Sequence, residues 1–191
     1  HEQVAAHAAD GYARQTGRLG CVITTAGPGF TNALTGIATA FRSESPVLHI
    51  GGQGALTQHK MGSLQDLPHV DIATPITKFS AGVRSTERIP DMVAMAAREC
   101  FAGAPGPSYL EIPRDVLDRE VSVEDVVSPE AGRYRASTKS IGDPADIEKL
   151  AELLVKSERP AILLGTQVWA CRGHQEAIAL LKDLNIPGYM N

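Results

Sequence analysis

The sequence predicts an α/β protein, a parallel sheet flanked by helices, followed by part of a second Rossmann-like α/β domain. Three observations carry this. Short apolar, β-branched runs alternate with longer stretches of helical spacing. Most of the runs end in or beside glycine, as buried parallel strands do before a helix. The alternation then starts afresh after a polar, aperiodic stretch at 120–142.

Taken in order, Gln3–Arg14 repeats Ala, Val and Tyr at three- and four-residue spacing, which makes a helix, and Gly17 is its C-cap. Leu19–Thr25 is a buried strand, broken by Ala26-Gly27-Pro28-Gly29. Phe30–Phe41 returns to helical spacing, and Pro46–Gly51 is the next strand. The polar loop Ala55–Pro68 is long for a compact domain, and loops of that length are usually functional. Val70–Ala73 makes a helical turn and Ile76–Phe79 a short extended piece. In Ile89–Phe101 Pro90 fits the first helical turn, and Met92, Val93, Ala96, Ala97 and Cys100 form an apolar face. Ser108–Ile112 is a strand interrupted by Glu111, which an ion pair to Arg114 or an edge position explains. Beyond the linker, Asp143-Pro144 caps a helix to about Lys156 with Ile147, Leu150, Leu153 and Leu154 inward. Pro160–Gly165 is a strand, Gly173–Leu184 a helix, and Ile186–Met190 begins another strand. The domains expected are 1–119, a linker 120–142, and 143–191. Both ends look cut, as in a piece of a longer polypeptide.

Composition narrows the function. Hydrophobic residues make up 43% and charged residues 21%, ordinary for a globular protein. The net charge is −4 with no basic stripe, and aromatics at 5% are too few for a stacking platform, so nucleic acid is not the expected partner. No run approaches the roughly 18 apolar residues of a membrane span. Cys21, Cys100 and Cys171 lie far apart in apolar contexts and read as reduced core thiols of a cytoplasmic protein. His1, Glu2 and His7 suggest a metal ligand set, but His1 and His7 do not share a helix face, and no metal site is expected here.

Ligands of parallel sheets sit at the carboxyl ends of strands, and the turns Ala26–Gly29 and Gly51–Gly54 are both such ends. The first turn opens a helix, and free N–H groups there suit a phosphate. It lacks the Lys-Ser/Thr of a P-loop and the spacing of a dinucleotide site, and Pro28 removes one donor. Glu2 starts an alanine-rich helix packed on the sheet, where a carboxyl group is a candidate for a perturbed pKa. Gln53 and Gln65 lie in or beside the glycine-rich loop, as site residues or as plain loop residues.

Together these residues resemble a known family. His1-Glu2-Gln3 with Ala8-Ala9-Asp10-Gly11-Tyr12-Ala13-Arg14 resembles the RHEQ-x-A…A-(D/E)-GYAR signature of thiamine-diphosphate (ThDP) enzymes of the acetolactate synthase superfamily. Thr25–Asn32 resembles T-(S/A)-GPG-x-TN. Gln53 with Gln65 is similar to GQ…FQE, and Gly106-Pro107…Ile112–Val116 to GPV-x-(L/V)-(D/E)-(I/V)-P-(K/R)-D-(V/I). The resemblance covers His1–Leu117 strongly and the later residues more loosely. It implies that 1–119 is the pyrimidine-binding (PYR) domain, N-terminally truncated, and 143–191 the start of the central domain, C-terminally truncated.

By the same resemblance Glu2 is the catalytic residue, hydrogen-bonding N1′ of the aminopyrimidine and so favouring the imino tautomer that deprotonates thiazolium C2. Gly27 and Pro28 flank the pyrimidine, Asn32 sits near it, and Gln65 faces the substrate. Mg²⁺ and the diphosphate fall to a domain absent from this chain. The central domain implies FAD or an adenine nucleotide, with Trp169 and Arg172 either beside it or structural. Leu64 replaces the usual Phe before the signature Gln, and Leu56 and Thr57 replace two usual arginines. With Thr77–Ala81 and the Gly-Gly-Gln-Gly loop, these departures resemble 2-hydroxyacyl-CoA lyases and the acetolactate synthase-like proteins near benzaldehyde lyase. The expected function is therefore a ThDP-dependent lyase or carboligase acting on a C–C bond beside a carbonyl, 2-hydroxyacyl-CoA lyase-like, with a 2-keto acid, aldehyde or 2-hydroxyacyl-CoA as substrate. The alternatives are acetolactate synthase with FAD, a non-catalytic nucleotide-binding α/β module, and a relative used only for assembly. The full-length chain is expected to form a homodimer or homotetramer, and the 191 residues alone to lack activity.

Overall fold

The computed structural model describes residues 1–126, 128–130, 132 and 141–190. The middle of the expected linker, at 127, 131 and 133–140, lies outside the described residues. The chain divides into two compact units, His1–Arg135 and Ala136–Asn191. Among the described residues no helix is long and apolar enough to cross a membrane.

The first unit runs α1 (Glu2–Thr16), β1 (Gly20–Thr24), α2 (Pro28–Arg42), β2 (Val47–Gln53), α3 (His69–Ala73), β3 (Phe79–Gly82), α4 (Ile89–Glu99), β4 (Ser108–Pro113) and α5 (Arg114–Asp118). The strands form an all-parallel sheet in the order β1-β2-β4-β3. This is the α/β fold that the alternation predicts. Gly17 caps α1 in the left-handed conformation, and Pro28 and Pro90 fall in the first turns of α2 and α4.

Alternate residues of β2 and β4 serve two cores. Val47 joins Ala6, Ala9, Ala13, Val22, Ala33, Ile37 and Ala40 under α1 and α2. Leu48, Leu110 and Ile112 join Val83, Ala96 and Cys100 under α4. Phe30 and Tyr109 meet Ala73 between α2, β4 and α3. Small residues let α1 lie close on α2: a Cβ added at Gly36 would sit 2.5 Å from the Ala6 Cβ. Arg14 ties the end of α1 down by a bidentate bond to buried Asp10, at 3.0 and 2.8 Å, and by a second bond to Ser43 beyond α2.

Several expectations change. The third strand begins at Phe79 instead of Ile76, because Thr74–Ile76 is a 3₁₀ turn with Pro75 in its first positions. Glu111 occupies an interior strand and is buried; Arg114 pairs with Asp118 instead. Only Cys100 is a core thiol. Cys21 and Cys171 are exposed, Cys21 because it points away from α1 and α2 on the edge strand β1.

The second unit contains α6 (Pro144–Lys156), β5 (Ile162–Leu164), α7 (Thr166–Ala170), α8 (His174–Asp183) and β6 (Gly188–Met190). Asp143 caps α6, its side chain accepting from Ala145 N–H at 2.8 Å. β5 and β6 form a two-stranded parallel sheet. Ile147, Leu150 and Leu153, expected inward, are exposed, because two three-residue strands offer too little surface to cover the α6 stripe. Between β5 and α8 the chain forms the short helix α7, for which the sequence carries no periodic signal.

Candidate active site

Glu2 stands in the first turn of α1, whose N-cap is His1, its Nδ1 accepting from Gln3 N–H at 3.3 Å. The Glu2 Oε2 accepts from Asn32 Nδ2 at 3.1 Å, and Oε1 lies 3.4 Å from where a Gly29 Cβ would be. The close packing of α1 on α2 thus brings Glu2, Asn32 and the start of α2 together. The carboxyl group is only partly covered. Hydrogen bonds from its own backbone N–H and from Asn32 hold its pKa below the ordinary carboxylate value. The perturbation expected of a carboxyl group packed on the sheet therefore runs toward the anion in this chain.

Gly27 adopts φ +56° and ψ −117°, a conformation costly for any other residue. A Cβ there would lie 2.7 Å from the Gln65 Cβ, so Gln65, itself at φ +63°, rests directly on the turn. Gln65 also lines a cleft of about 510 Å³ at the carboxyl ends of β1, β2 and β4, together with Ala26, Gln53, Leu64 and Arg114. Glu2, Gly27, Pro28 and Asn32 do not line this cleft. The structure therefore arranges the candidate residues around one turn: Glu2 and Asn32 on the helix side, Gln65 on the cleft side, with Gly27 and Pro28 between.

A buried set of polar groups that the sequence reading did not connect stands behind the turn. His69, fully buried, accepts the Gly27 N–H on Nε2 at 2.9 Å. A backbone amide can only donate, so the ring proton lies on Nδ1, which donates to Glu111 Oε2 at 3.1 Å. The Gln53 amide donates to Leu67 O at 2.9 Å and to Glu111 Oε2 at 3.2 Å, while its Oε1 accepts from Gly54 N–H. The sequence signal for this set is Glu111 itself, since a charged residue in a buried strand requires partners. His69 carried no such signal.

Beside them Phe30 stacks on His49 at 5.6 Å and meets Tyr109 and His69 at 4.9 and 4.7 Å. Burial pushes His49 down to about 4. Its Nε2 pairs with Thr24 Oγ1 at 2.9 Å. Burial raises the Tyr109 phenol far above its usual range.

Residues 1–73 match the thiamine pyrophosphate enzyme, N-terminal TPP binding domain. The chain is 37% identical, over 98% of its length, to a probable acetolactate synthase large subunit of Methanocaldococcus jannaschii, and covers 32% of that protein. It is 35% identical over 98% of its length to the acetolactate synthase isozyme 3 large subunit of Escherichia coli, covering 33% of it. A probable acetolactate synthase of Mycobacterium bovis is 34% identical over the whole chain. The chain spans about a third of the length of the curated relatives it matches. The family match contains Glu2, Asn32, Gln65 and the whole Gly-Pro-Gly turn, and the long relatives run through both units. The chain thus resembles the thiamine-diphosphate-dependent enzymes of the acetolactate synthase superfamily, with residues 1–73 matching their N-terminal cofactor-binding domain.

Proposed function

We propose that the full protein is a ThDP-dependent carboligase of the acetolactate synthase type, decarboxylating one 2-keto acid and joining its acyl group to a second. The names of the relatives favour this over the 2-hydroxyacyl-CoA lyase reading suggested by the loop sequences. The observation that carries the proposal is the Glu2 carboxyl group, fixed by Asn32 against the glycine-rich start of α2.

The residues present fit the aminopyrimidine end of ThDP. Asn32 occupies Oε2, which directs Oε1 past Gly29, a position without a side chain. Gly27 presents bare backbone and Pro28 its exposed ring as a wall, and Gln65 closes the cleft side. When bound, ThDP supplies an electron sink beside the reacting carbonyl carbon. Glu2 then shares a proton at Oε1 with a ring nitrogen, and Asn32 keeps the carboxyl group from rotating away. The turn binds no phosphate in this reading. The diphosphate and Mg²⁺ belong to residues outside this chain, and FAD to the domain that begins in the second unit. In this reading the domain holding the diphosphate and Mg²⁺ comes from the partner subunit, and the full protein is a homodimer or homotetramer.

The test is turnover by the full-length enzyme with pyruvate, ThDP and Mg²⁺, scored for acetolactate. ThDP-dependent acetolactate formation, lost in Glu2→Gln, is the expected result. Cleavage of a 2-hydroxyacyl-CoA without acetolactate formation would transfer the assignment to the lyases. ThDP-independent turnover would remove Glu2 from the chemistry altogether.

A further inference from the structure

We propose that His69 is a positioning residue of the cofactor site, oriented by Glu111 and Gln53 and holding the Gly27 peptide in place as the pyrimidine wall. The inference rests on the ThDP reading of that turn. Gly27 sits at φ +56° and ψ −117°, and glycine reaches many other conformations as easily. Something must select this one. The Gly27 carbonyl is already engaged by Thr31 N–H at 3.0 Å, in the first turn of α2. Its N–H points the other way, into the protein, and its acceptor is the fully buried His69 Nε2 at 2.9 Å. The two bonds together fix both peptide planes around Gly27.

The ring cannot turn away. Its Nδ1 donates to Glu111 Oε2, and the Gln53 amide, 3.1 Å from that nitrogen, donates to the same oxygen while Leu67 O and Gly54 N–H fix Gln53. Phe30 packs edge-on against the imidazole at 4.7 Å. The pairing resembles a carboxyl–imidazole dyad, but its outer nitrogen is committed to a backbone amide and has no proton to move. His69 therefore acts through Gly27, not on a reacting atom. A shift of the turn of about an ångström is enough to spoil a near-attack geometry.

The experiment uses the full-length enzyme and three substitutions. Gln reaches the position of Nε2, Asn only that of Nδ1, and Leu neither. Two quantities are read: amide exchange of the Gly27 peptide without cofactor, and ThDP affinity by calorimetry. His69→Leu and His69→Asn are expected to speed Gly27 exchange and to weaken ThDP binding roughly tenfold to a hundredfold, the scale of one orphaned buried donor. His69→Gln is expected to restore both. Unchanged Gly27 exchange in His69→Leu overturns the proposal, as does equal behaviour of the Asn and Gln variants. Faster exchange with unaltered ThDP affinity also overturns it, since the turn would then not be the wall. A wild-type enzyme that binds no ThDP at all would instead defeat the underlying functional reading.

Discussion

Glu2 shows a tension at the scale of a single residue. In this chain its carboxyl group is pulled toward the anion by its own N–H and by Asn32, whereas sharing a proton with a ring nitrogen needs a raised pKa. On the functional reading proposed above, cofactor covering the site would desolvate the carboxylate and reverse the shift. Binding of ThDP to the full enzyme should therefore take up a proton near neutral pH, visible as a buffer dependence of the calorimetric heat. Glu2→Gln should abolish that uptake and lower kcat by roughly 10²–10⁴, the range of acid–base catalysis. A heat independent of buffer would rule the reversal out. His49 makes a prediction about stability instead. Unfolded histidine protonates near 6.5, but His49 in the fold only at about 4. The unfolded chain thus binds more protons between these values. Stability from this group is complete above pH 6.5 and declines as pH falls toward 4, by about 3 kcal/mol in all. In urea titrations His49→Phe should flatten the dependence of stability on pH across that window.

Two glycines mark where elements depend on close approach. Gly27→Ala must place a Cβ against Gln65 at positive φ, at a cost of about 1–3 kcal/mol, so Gln65 should be displaced and ThDP affinity lost together. Gly36→Val drives a side chain into Ala6 and parts α1 from α2, with a similar loss of about 1–3 kcal/mol in denaturant unfolding. Because Glu2 and Asn32 sit on those two helices, activity should fall further than stability alone explains. The same helices were the most legible part of the sequence, since their apolar spacing, Gly17 and Pro28 are local signals. β2 and β4 were legible as apolar runs. The sequence misplaces β3 because Pro75 and a four-residue strand give no period, and it gives no sign of α7 because a single turn has none. Glu2 and Asn32 were each reached through a resemblance, not through spacing, and the bond between them only through the structure. The set Gln53, His69 and Glu111 could not be assembled at all: Gln53 and Glu111 are 58 residues apart and become neighbours only because β4 inserts beside β2.

Across the whole molecule, order is unevenly distributed. The first unit encloses three apolar clusters, whereas α6 leaves Ile147, Leu150 and Leu153 in solvent. Amide exchange of this chain should therefore be slowest in β2 and β4 and much faster in α6 and α8. Equal protection of both would show that the second unit is stabilised by contacts outside its own small sheet. On the functional reading, this chain alone should turn over no 2-keto acid, because the residues for diphosphate and Mg²⁺ lie elsewhere; ThDP-dependent product from it would overturn that. The three thiols, finally, give the molecule a graded clock. Cys171 is exposed, and Cys21 is exposed at the edge of the sheet with its thiol pKa raised by partial burial. Cys100 lies under α4, its Sγ bonded to Val47 O and its pKa pushed up to about 11 by burial. A thiol reagent should therefore modify Cys171 first, Cys21 next, and Cys100 only when the core of the first unit opens, so the lag of the third reaction times that opening without any added label.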